Sequence, residues 1–428
     1  MKRPKIHINP WQYLLFSFIF LIFLGTVLLE VPWVKHQNGL SWIDALFTST
    51  SAVCVTGLTT VSTSGFNIFG QIVLLFLMQA GAIGIMTITS SFLLILRGNV
   101  GLKHRLFFSQ LQENFDLSDA RIILQNILRI TFITELVGAI LLTIGFWWQG
   151  FSFGQSVYHG IFHSISAFCN AGFSEFDTSL IGMNFLIKYT ISLLIIIGGI
   201  GYFVIIEFLQ NKTHYKNFSL HTKIVIYSTL LLIFTGTIGI MIFERGKVSF
   251  TDSFFQSVTA RTAGFNSIDL NVLHLSSIFV LIILMFIGAS PGSTGGGIKT
   301  TNFFVIASSI LSVLKGKTEV VVFKRTISER YILKAFATAI IYFVILSIGI
   351  ILLLQDKNLQ FEPALFESVS AMGTVGLSLG ITPLLTTSGK LVIIALMFIG
   401  RVGPSSLAMA TLLNKKTIKI KYPEGTIY

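Results

Sequence analysis

Residues 47–58 have the sequence Phe-Thr-Ser-Thr-Ser-Ala-Val-Cys-Val-Thr-Gly-Leu. The first six form a signature, Phe-x-Ser-x-Ser/Thr-Ala, whose other copies begin at Phe162, Phe255 and Phe366. Each copy is followed, four or five positions later, by a glycine and a large apolar residue; the glycines are Gly57, Gly172, Gly264 and Gly376. Four copies at intervals of roughly 100 residues indicate one structural unit used four times, which predicts pseudo-fourfold symmetry.

The composition is that of a polytopic membrane protein. Of the 428 residues, 53% are hydrophobic and only 11% are charged, whereas soluble domains carry about 25% charged residues. Eight apolar runs are close to or longer than the ~20 residues that cross a bilayer. They are residues 11–29, 68–96, 122–146, 184–209, 221–243, 273–314, 331–354 and 387–413. The first run is long enough to span and is not treated as a signal peptide.

A shorter segment lies between the two runs of each successive pair, and each segment carries one signature. These segments are too short to cross a membrane and are predicted to be re-entrant pore helices, at 42–53, 155–168, 250–260 and 362–372. The predicted fold is an all-α polytopic membrane protein of four repeats around one pore, each repeat a span (M1), a pore helix and a second span (M2). The repeats are placed at 1–98, 99–212, 213–316 and 317–428, the third with a broken M2 and the fourth with a short cytoplasmic tail.

Lysine and arginine are unevenly distributed between the two sides. The N-terminus, the loops between repeats and the C-terminus hold most of them, as at Lys103, Lys216, Lys317 and Lys415. Because basic loops stay in the cytoplasm, both termini are predicted to be inside and the signature loops to open outward. The net charge of +12 is then mostly topological, although a docking surface for an acidic partner is a second interpretation.

The signature suits a bare monovalent cation. Moving such an ion into a low-dielectric interior costs on the order of 20 kcal/mol by the idealised Born estimate, and backbone carbonyls can replace its water without adding fixed charge. Glycine accepts the backbone angles and the close approach that this requires. The four segments before the glycines differ in side chain, which favours carbonyl coordination; they are 53–57, 168–172, 261–264 and 372–376. Easier helix packing by Gly and Ser would explain one copy better than four.

Three stretches carry a family resemblance. Ser-Ala-Val-Cys-Val-Thr-Gly-Leu, Phe-Cys-Asn-Ala-Gly-Phe and Arg-Thr-Ala-Gly-Phe resemble the filter motifs of the Trk/Ktr/HKT superfamily of potassium transporters. The length and short C-terminus are most similar to the KtrB subfamily, the membrane subunits of bacterial Ktr potassium uptake. In that family a serine in the first filter goes with sodium, so Gly57 implies potassium. The implied filter residues are Val55, Thr56, Gly57, Asn170, Ala171, Gly172, Thr262, Ala263, Gly264, Thr374, Val375 and Gly376.

The resemblance also implies a setting. It implies channel-like uptake of K⁺ across the bacterial plasma membrane by a homodimer that sits on a cytoplasmic ring of the KtrA type, which binds ATP or ADP. K⁺ would be the transported ion and Na⁺ a candidate activator, with no bound organic cofactor and no nucleic acid. The alternative is a secondary transporter coupled to Na⁺ or H⁺ through acidic residues such as Glu207.

The run at 273–314 is interrupted by Gly288-Ala-Ser-Pro-Gly-Ser-Thr-Gly-Gly-Gly-Ile-Lys299. Pro291 and the glycines predict a break at mid-membrane. A phosphate loop would need Gly-Lys-Ser/Thr, and Ile298 precedes Lys299 here; a passive kink and a flexible plug below the filter are the other interpretations. The family has a gating loop at this place, which implies gating roles for Gly288, Ser290, Pro291, Gly292, Gly295, Gly296, Gly297 and Lys299.

Two arginines lie in regions predicted to be membrane-embedded. Arg401 lies deep in the last run, where a guanidinium costs at least ~2.5–3.5 kcal/mol and needs a cavity or a partner. It is either an electrostatic gate, as the resemblance implies, or a packing arginine bonded to carbonyls. Arg261 in the third filter loop is expected to point away from the pore, toward an acidic group outside.

An enzyme is not predicted. The chain has no His-Glu-x-x-His sequence and no paired aspartates on one face. His159 and His163 are four positions apart on the second pore helix, but no third ligand is placed with them, so a metal site is not expected. Glu135 and Glu207 are expected to be paired structurally, for instance with Arg129 or a serine hydroxyl.

Overall fold

The structure is a computed structural model that describes residues 10–34, 36, 39–84, 120–211 and 215–403. Its helices are α1 (Pro10–Glu30), α2 (Trp42–Val53), α3 (Ile68–Ile83), α4 (Ala120–Trp148), α5 (Phe153–Phe168), α6 (Phe185–Ile200), α7 (Tyr202–Asn211), α8 (Leu220–Phe243), α9 (Phe250–Thr259), α10 (Leu275–Ile287), α11 (Thr300–Leu314), α12 (Glu329–Leu353), α13 (Phe361–Gly373) and α14 (Thr387–Val402). Two short strands, β1 (Val321–Val322) and β2 (Arg325–Thr326), pair antiparallel between α11 and α12.

The helices follow one order four times: a first helix of 21–29 residues, a second of 10–16 and a third of 13–16. They are called the first long helix, the short helix and the second long helix of each unit. The four units are α1–α3, α4–α7, α8–α11 and α12–α14. The short helices α2, α5, α9 and α13 begin and end within two residues of the predicted re-entrant segments. Among the described residues, the helical stretches 125–148, 220–243 and 329–353 are long and apolar enough to cross a membrane, and the bent pair α6–α7 would make a fourth.

In three of the four units the short helix begins at a serine N-cap. Ser41, Ser152 and Ser249 accept a hydrogen bond from the backbone N–H three residues ahead, while Gln360 of the fourth unit makes no such side-chain bond. A serine cap satisfies one of the N–H groups that a helix start leaves without a partner. The helix starts are therefore fixed locally, before any packing between units.

The long helices of each unit meet at a glycine. A Cβ built on this glycine would lie 2.6–2.8 Å from a leucine methyl of the second long helix, in the pairs Gly25–Leu77, Gly138–Leu194, Gly236–Leu284 and Gly349–Leu396. The groove that the missing side chain leaves also admits the first serine of the signature. In three units this serine donates to a carbonyl of the first helix: Ser49 to Ile22, Ser164 to Glu135 and Ser257 to Ile233. Ser368 bonds its own helix instead, at Ala364.

The second long helix ends early in every unit, which the sequence predicted for the third alone. The helix stops at a glycine with positive φ in each case: Gly84, Gly201, Gly288 and Gly403. Between α6 and α7 the axis turns by 96°. Gly84 and Gly201 lie inside apolar runs without a proline, where a helix usually tolerates a glycine. Gly403 is followed by Pro404, a break signal that the predicted span 387–413 runs through. The predicted spans 68–96 and 387–413 continue beyond Gly84 and Gly403, outside the described residues, as do the basic termini.

Close packing between the second long helix and the end of the short helix gives a stability test. A Cβ on Gly198 would overlap the carbonyl oxygen of Phe168, and a backbone atom cannot swing away. We expect Gly198→Ala to cost at least about 1–3 kcal/mol, as overpacked cores do, and to lower the apparent melting temperature of the detergent-solubilised protein.

The matched control is Gly154→Ala. Gly154 lies in the first turn of α5 with no atom within 4 Å of a built Cβ, so melting should be unchanged or slightly higher. Equal melting temperatures for the Gly198 and Gly154 variants would contradict the packing described here.

Candidate functional site

The four signature glycines form a closed ring. A Cβ built on each would collide with the carbonyl oxygen of the residue before the next glycine: Gly57 with Ala171, Gly172 with Ala263, Gly264 with Val375 and Gly376 with Thr56. The same four atoms would lie 3.0–3.2 Å from the Cα of the next glycine. The contacts run in chain order and return to the first loop. No side chain fits at any of the four positions.

The backbone of each loop alternates in handedness. The residue two before the glycine has positive φ in every loop, at Val55, Asn170, Thr262 and Thr374, and so does the glycine itself. Positive φ is uncommon outside glycine. An alternation of right- and left-handed residues gathers N–H groups on one side of the chain and leaves carbonyl oxygens on the other. The predicted filter loops thus share positive φ at the same two positions in all four units.

The N–H groups on the helix side are used by the signature. The N–H before each glycine donates to the carbonyl of the second signature hydroxyl residue, from Thr56 to Ser51, Ala171 to Ser166, Ala263 to Thr259 and Val375 to Ser370, at 2.8–2.9 Å. The hydroxyls of Ser51 and Ser370 also accept from Gly57 and Gly376. Three of the loops close with a bond across five residues, as in a Schellman motif. The third, one residue shorter, makes the equivalent bond across four and brings Gly264 into the same ring.

The segment 288–299, between α10 and α11, lies against three of the four loops. The N–H of Gly296 donates to Thr374 Oγ1 at 2.9 Å, and a Cβ on Gly295 would collide with Thr262 Oγ1. Thr294 Oγ1 lies 2.8 Å from the Asn170 amide. Each of these partners is the residue two positions before a ring glycine.

The same segment is fixed to the second unit. The N–H groups of Ser290 and Thr294 donate to the carbonyls of Gly199 and Gly198, at 3.1 and 3.2 Å, and Tyr202 N–H donates to Gly292 O. The break at Gly201 therefore packs against the break at 288–299, and the segment is held by units two and four as well as by its own.

Two cations bond this segment. The Arg401 guanidinium donates to the carbonyl of Thr294 and, at 2.5 Å, to that of Gly81 in α3. The Lys299 ammonium donates to Gly295 O at 2.7 Å. Of the two interpretations left open for Arg401, carbonyl bonding is the observed contact, and one of its acceptors belongs to the predicted gating segment.

Sequence comparison points to one family. Residues 9–419 match the TrkH family, described as cation transport protein. The chain belongs to the TrkH family. Similar proteins are Ktr system potassium uptake protein B of Bacillus subtilis, 37% identical over 99% of this chain and 97% of its own length, and potassium/sodium uptake protein NtpJ of Enterococcus hirae, 36% identical over 100% and 98%. The crystal structure of the potassium transporter TrkH from Vibrio parahaemolyticus has the same fold, with a TM-score of 0.76, 18% identity, and coverage of 96% of this chain and 86% of that one.

Arg261 does not have the partner that the sequence led us to expect. Its guanidinium is buried, and its contact is Thr229 Oγ1 in α8 at 3.5 Å. Within the described residues it forms no ion pair, so the expected acidic partner outside is wrong. Its contact is instead with the first long helix of its own unit.

The acidic residues inside spans are held by polar neighbours. Glu207 accepts from Ser219 N–H and Oγ and from Thr222 Oγ1, and thereby anchors the start of α8. Glu135 accepts from the Gln79 amide at 3.0 Å, not from Arg129. The structural pairing predicted for both acids is therefore present, with partners that the sequence could only partly name.

The histidines have a neighbour that the sequence did not reveal. His159 Nδ1 lies 2.7 Å from a carboxylate oxygen of Glu175, an acidic residue that was not placed with them. No cluster of three metal-ligating side chains occurs in the described part of the chain.

Residues 288–292 match Gly-x-Ser-x-Gly, a pattern of serine hydrolases. Ser290 is fully buried and its Oγ pairs with Thr300 Oγ1 at 2.9 Å, so it has no exposed nucleophile.

Asp177 joins the loops that follow the first two ring glycines. Its carboxylate accepts from the hydroxyls of Ser62 and Ser64, and these bonds lower its pKa. A carboxyl whose folded pKa is depressed stabilises the fold above its unfolded pKa of about 3.9, and this stabilisation is lost as the pH falls through the folded value. We expect Asp177→Asn to lower the melting temperature fully at pH 5 and above and progressively less below about pH 4.

A double-variant background is the control. In protein carrying Ser62→Ala and Ser64→Ala, the Asn substitution should cause no further change at any pH. A pH-independent loss, or an equal loss in that background, would show that the two hydroxyls are not the cause.

Proposed function

We propose that the chain is a potassium-selective, channel-like pathway for K⁺ uptake across the plasma membrane. In this proposal the four units are M1–pore-helix–M2 repeats around one axis, and the ring of Gly57, Gly172, Gly264 and Gly376 is the selectivity filter. The observation that carries it is the closed ring of glycine contacts with its repeated alternation of φ. Such a backbone can offer carbonyls from four sides to one dehydrated ion.

Potassium is the ion that the chemistry and the relatives favour. The proposed ligands are uncharged carbonyls, and the side chains at the equivalent positions differ, so the ring discriminates by carbonyl number and spacing. Similar proteins are named for potassium uptake, one of them for potassium and sodium. All four loops keep the glycine whose replacement by serine in the first loop goes with sodium in the family.

The segment 288–299 and Arg401 are the proposed gate. The segment packs against the residues two before three of the ring glycines, so an ion leaving the ring inward would meet it. Arg401 ties that segment to α3 and places a positive charge beside it, which raises the energy of a passing cation. Gate opening would require these bonds to break together.

Partners are part of the same proposal. The chain would act as a homodimer with both termini in the cytoplasm, on a regulatory ring of the KtrA type that binds ATP or ADP. Two similar proteins are named Ktr system potassium uptake protein B, and the word system favours a partner. The β1–β2 hairpin between the third and fourth units carries exposed Lys324 and Arg325, a basic surface available to an acidic partner.

Replacement of a ring glycine tests the filter. Gly57→Ser adds a side chain where none fits, at a φ of +93°. We expect the ratio of K⁺ to Na⁺ uptake, measured in proteoliposomes, to fall by about tenfold or more, equivalent to about 1.4 kcal/mol of lost discrimination. Gly380→Ser is the matched control, because Gly380 has a φ of +88° but no neighbouring atom within 4 Å. An unchanged ratio in Gly57→Ser would disprove the filter assignment.

Removal of the arginine tests the gate. Arg401→Ala deletes both bonds to the segment and to α3, so we expect the purified chain without any partner to pass K⁺ several-fold faster at unchanged selectivity. Arg129→Ala, which removes an exposed arginine from α4, should leave the flux unchanged. Slower or equal flux in Arg401→Ala would show that the arginine does not restrain conduction.

A further inference from the structure

A polar residue follows the signature phenylalanine in every unit. These residues are Thr48, His163, Gln256 and Glu367, and each is at most 1% exposed. The phenylalanine before each of them is equally buried. Four different polar side chains at one register, inside a membrane-embedded core, are costly to bury unless each has a partner. In the second and fourth units the partners belong to the segment that follows the ring glycine.

The second unit shows the contact directly. His163 Nδ1 donates to the carbonyl of His159 at 2.9 Å, which leaves Nε2 as an acceptor for the Ser174 hydroxyl at 3.1 Å. Ser174 is two residues beyond Gly172. The imidazole therefore joins the short helix to the loop segment that leaves the ring.

The fourth unit makes the same connection with other groups. Glu367 accepts a hydrogen bond from Thr382 Oγ1. Since the single proton of Thr382 is used there, its Oγ1 accepts from Ser378 Oγ at 3.1 Å. Ser378 is two residues beyond Gly376. The second carboxylate oxygen of Glu367 is buried with no partner among the described residues.

In the third and first units the polar atoms at this register have no hydrogen-bond partner among the described residues. Both amide atoms of Gln256 are buried without a hydrogen bond in the described part of the chain, and so is the Oδ1 of Asn266, two residues beyond Gly264. Thr48 Oγ1 is unpartnered as well. Buried amide groups of this kind are normally satisfied, directly or through an ordered water. Gln256 and Asn266 supply complementary donors and acceptors at the register where His163 and Ser174 bond.

We propose that His163 and Glu367, with Gln256 at the same register of the third unit, are positioning residues that brace the segment following the ring glycine in their loops, and that these braces set ion selectivity. The inference rests on the proposed function of the ring as a filter. A carbonyl ring that discriminates by spacing must resist closing around the smaller Na⁺. A bond from the rigid short helix to the residue two positions after the glycine holds this loop segment in place. It therefore opposes closing of the carbonyl ring around Na⁺.

The test is a double-mutant cycle on selectivity. His163→Leu, Ser174→Ala and the double variant are reconstituted in proteoliposomes, and the Na⁺ concentration that halves K⁺ uptake is measured. Each single variant should lower the K⁺ preference by about fivefold, the factor that one net hydrogen bond is worth, and the double variant should be no worse than either. Gln256→Leu with Asn266→Ala forms a second cycle, which decides the matter if His163→Leu does not fold.

Ser156→Ala is the matched control on the same helix, since its buried hydroxyl bonds only to carbonyls near the start of its own helix, the nearest being Ser152 at 2.9 Å. It should leave the preference unchanged. Loss of stability with an unchanged K⁺ preference would contradict this proposal. Additive losses of K⁺ preference in the double variants would contradict it as well. If Gly57→Ser shifts the preference while the brace variants do not, the filter stands and only this inference fails; if both are silent, the filter itself fails.

Discussion

The structure depends on four places where two backbones meet with no room for a Cβ. At each, a glycine Cα rests against the carbonyl of the neighbouring loop. Two backbones can approach this closely only where no side chain stands between them. This contact sets the distance between the four short helices. The N-caps, the grooves at Gly25 and its counterparts, and the signature serines all serve to deliver the loops to that separation.

The membrane makes the polar signature necessary. Non-helical backbone at membrane depth must find its hydrogen bonds inside the protein, and the signature hydroxyl residues provide them through both backbone and side chain. The carbonyls that remain free are those on the other side of the loop. In the proposed filter they are the groups that replace an ion's water, so the same alternation of φ solves a folding problem and a transport problem.

The sequence predicted much of this because repetition supplied internal controls. The short helices and the glycine positions followed from four aligned copies, and their observed bounds differ little from the expected ones. Features without a repeat were harder. The turns at Gly84 and Gly201 have no proline to mark them, and the partners of Arg261 and Glu175 lie 32 and 16 residues away along the chain, on other elements of the same unit. Contacts of that kind are set by tertiary packing within a unit, which periodicity does not encode.

Arg401 occurs in one unit only. The positions that correspond to it, five residues after the leucine that contacts the glycine of the first long helix, are Ala82, Gly199 and Ala289. Four identical subunits would have to carry this arginine four times, and four guanidinium groups around one axis would repel one another and any cation between them. Joining the four units in a single polypeptide removes that restriction. The charge beside the proposed pathway can then be adjusted one unit at a time, which a homotetramer cannot do.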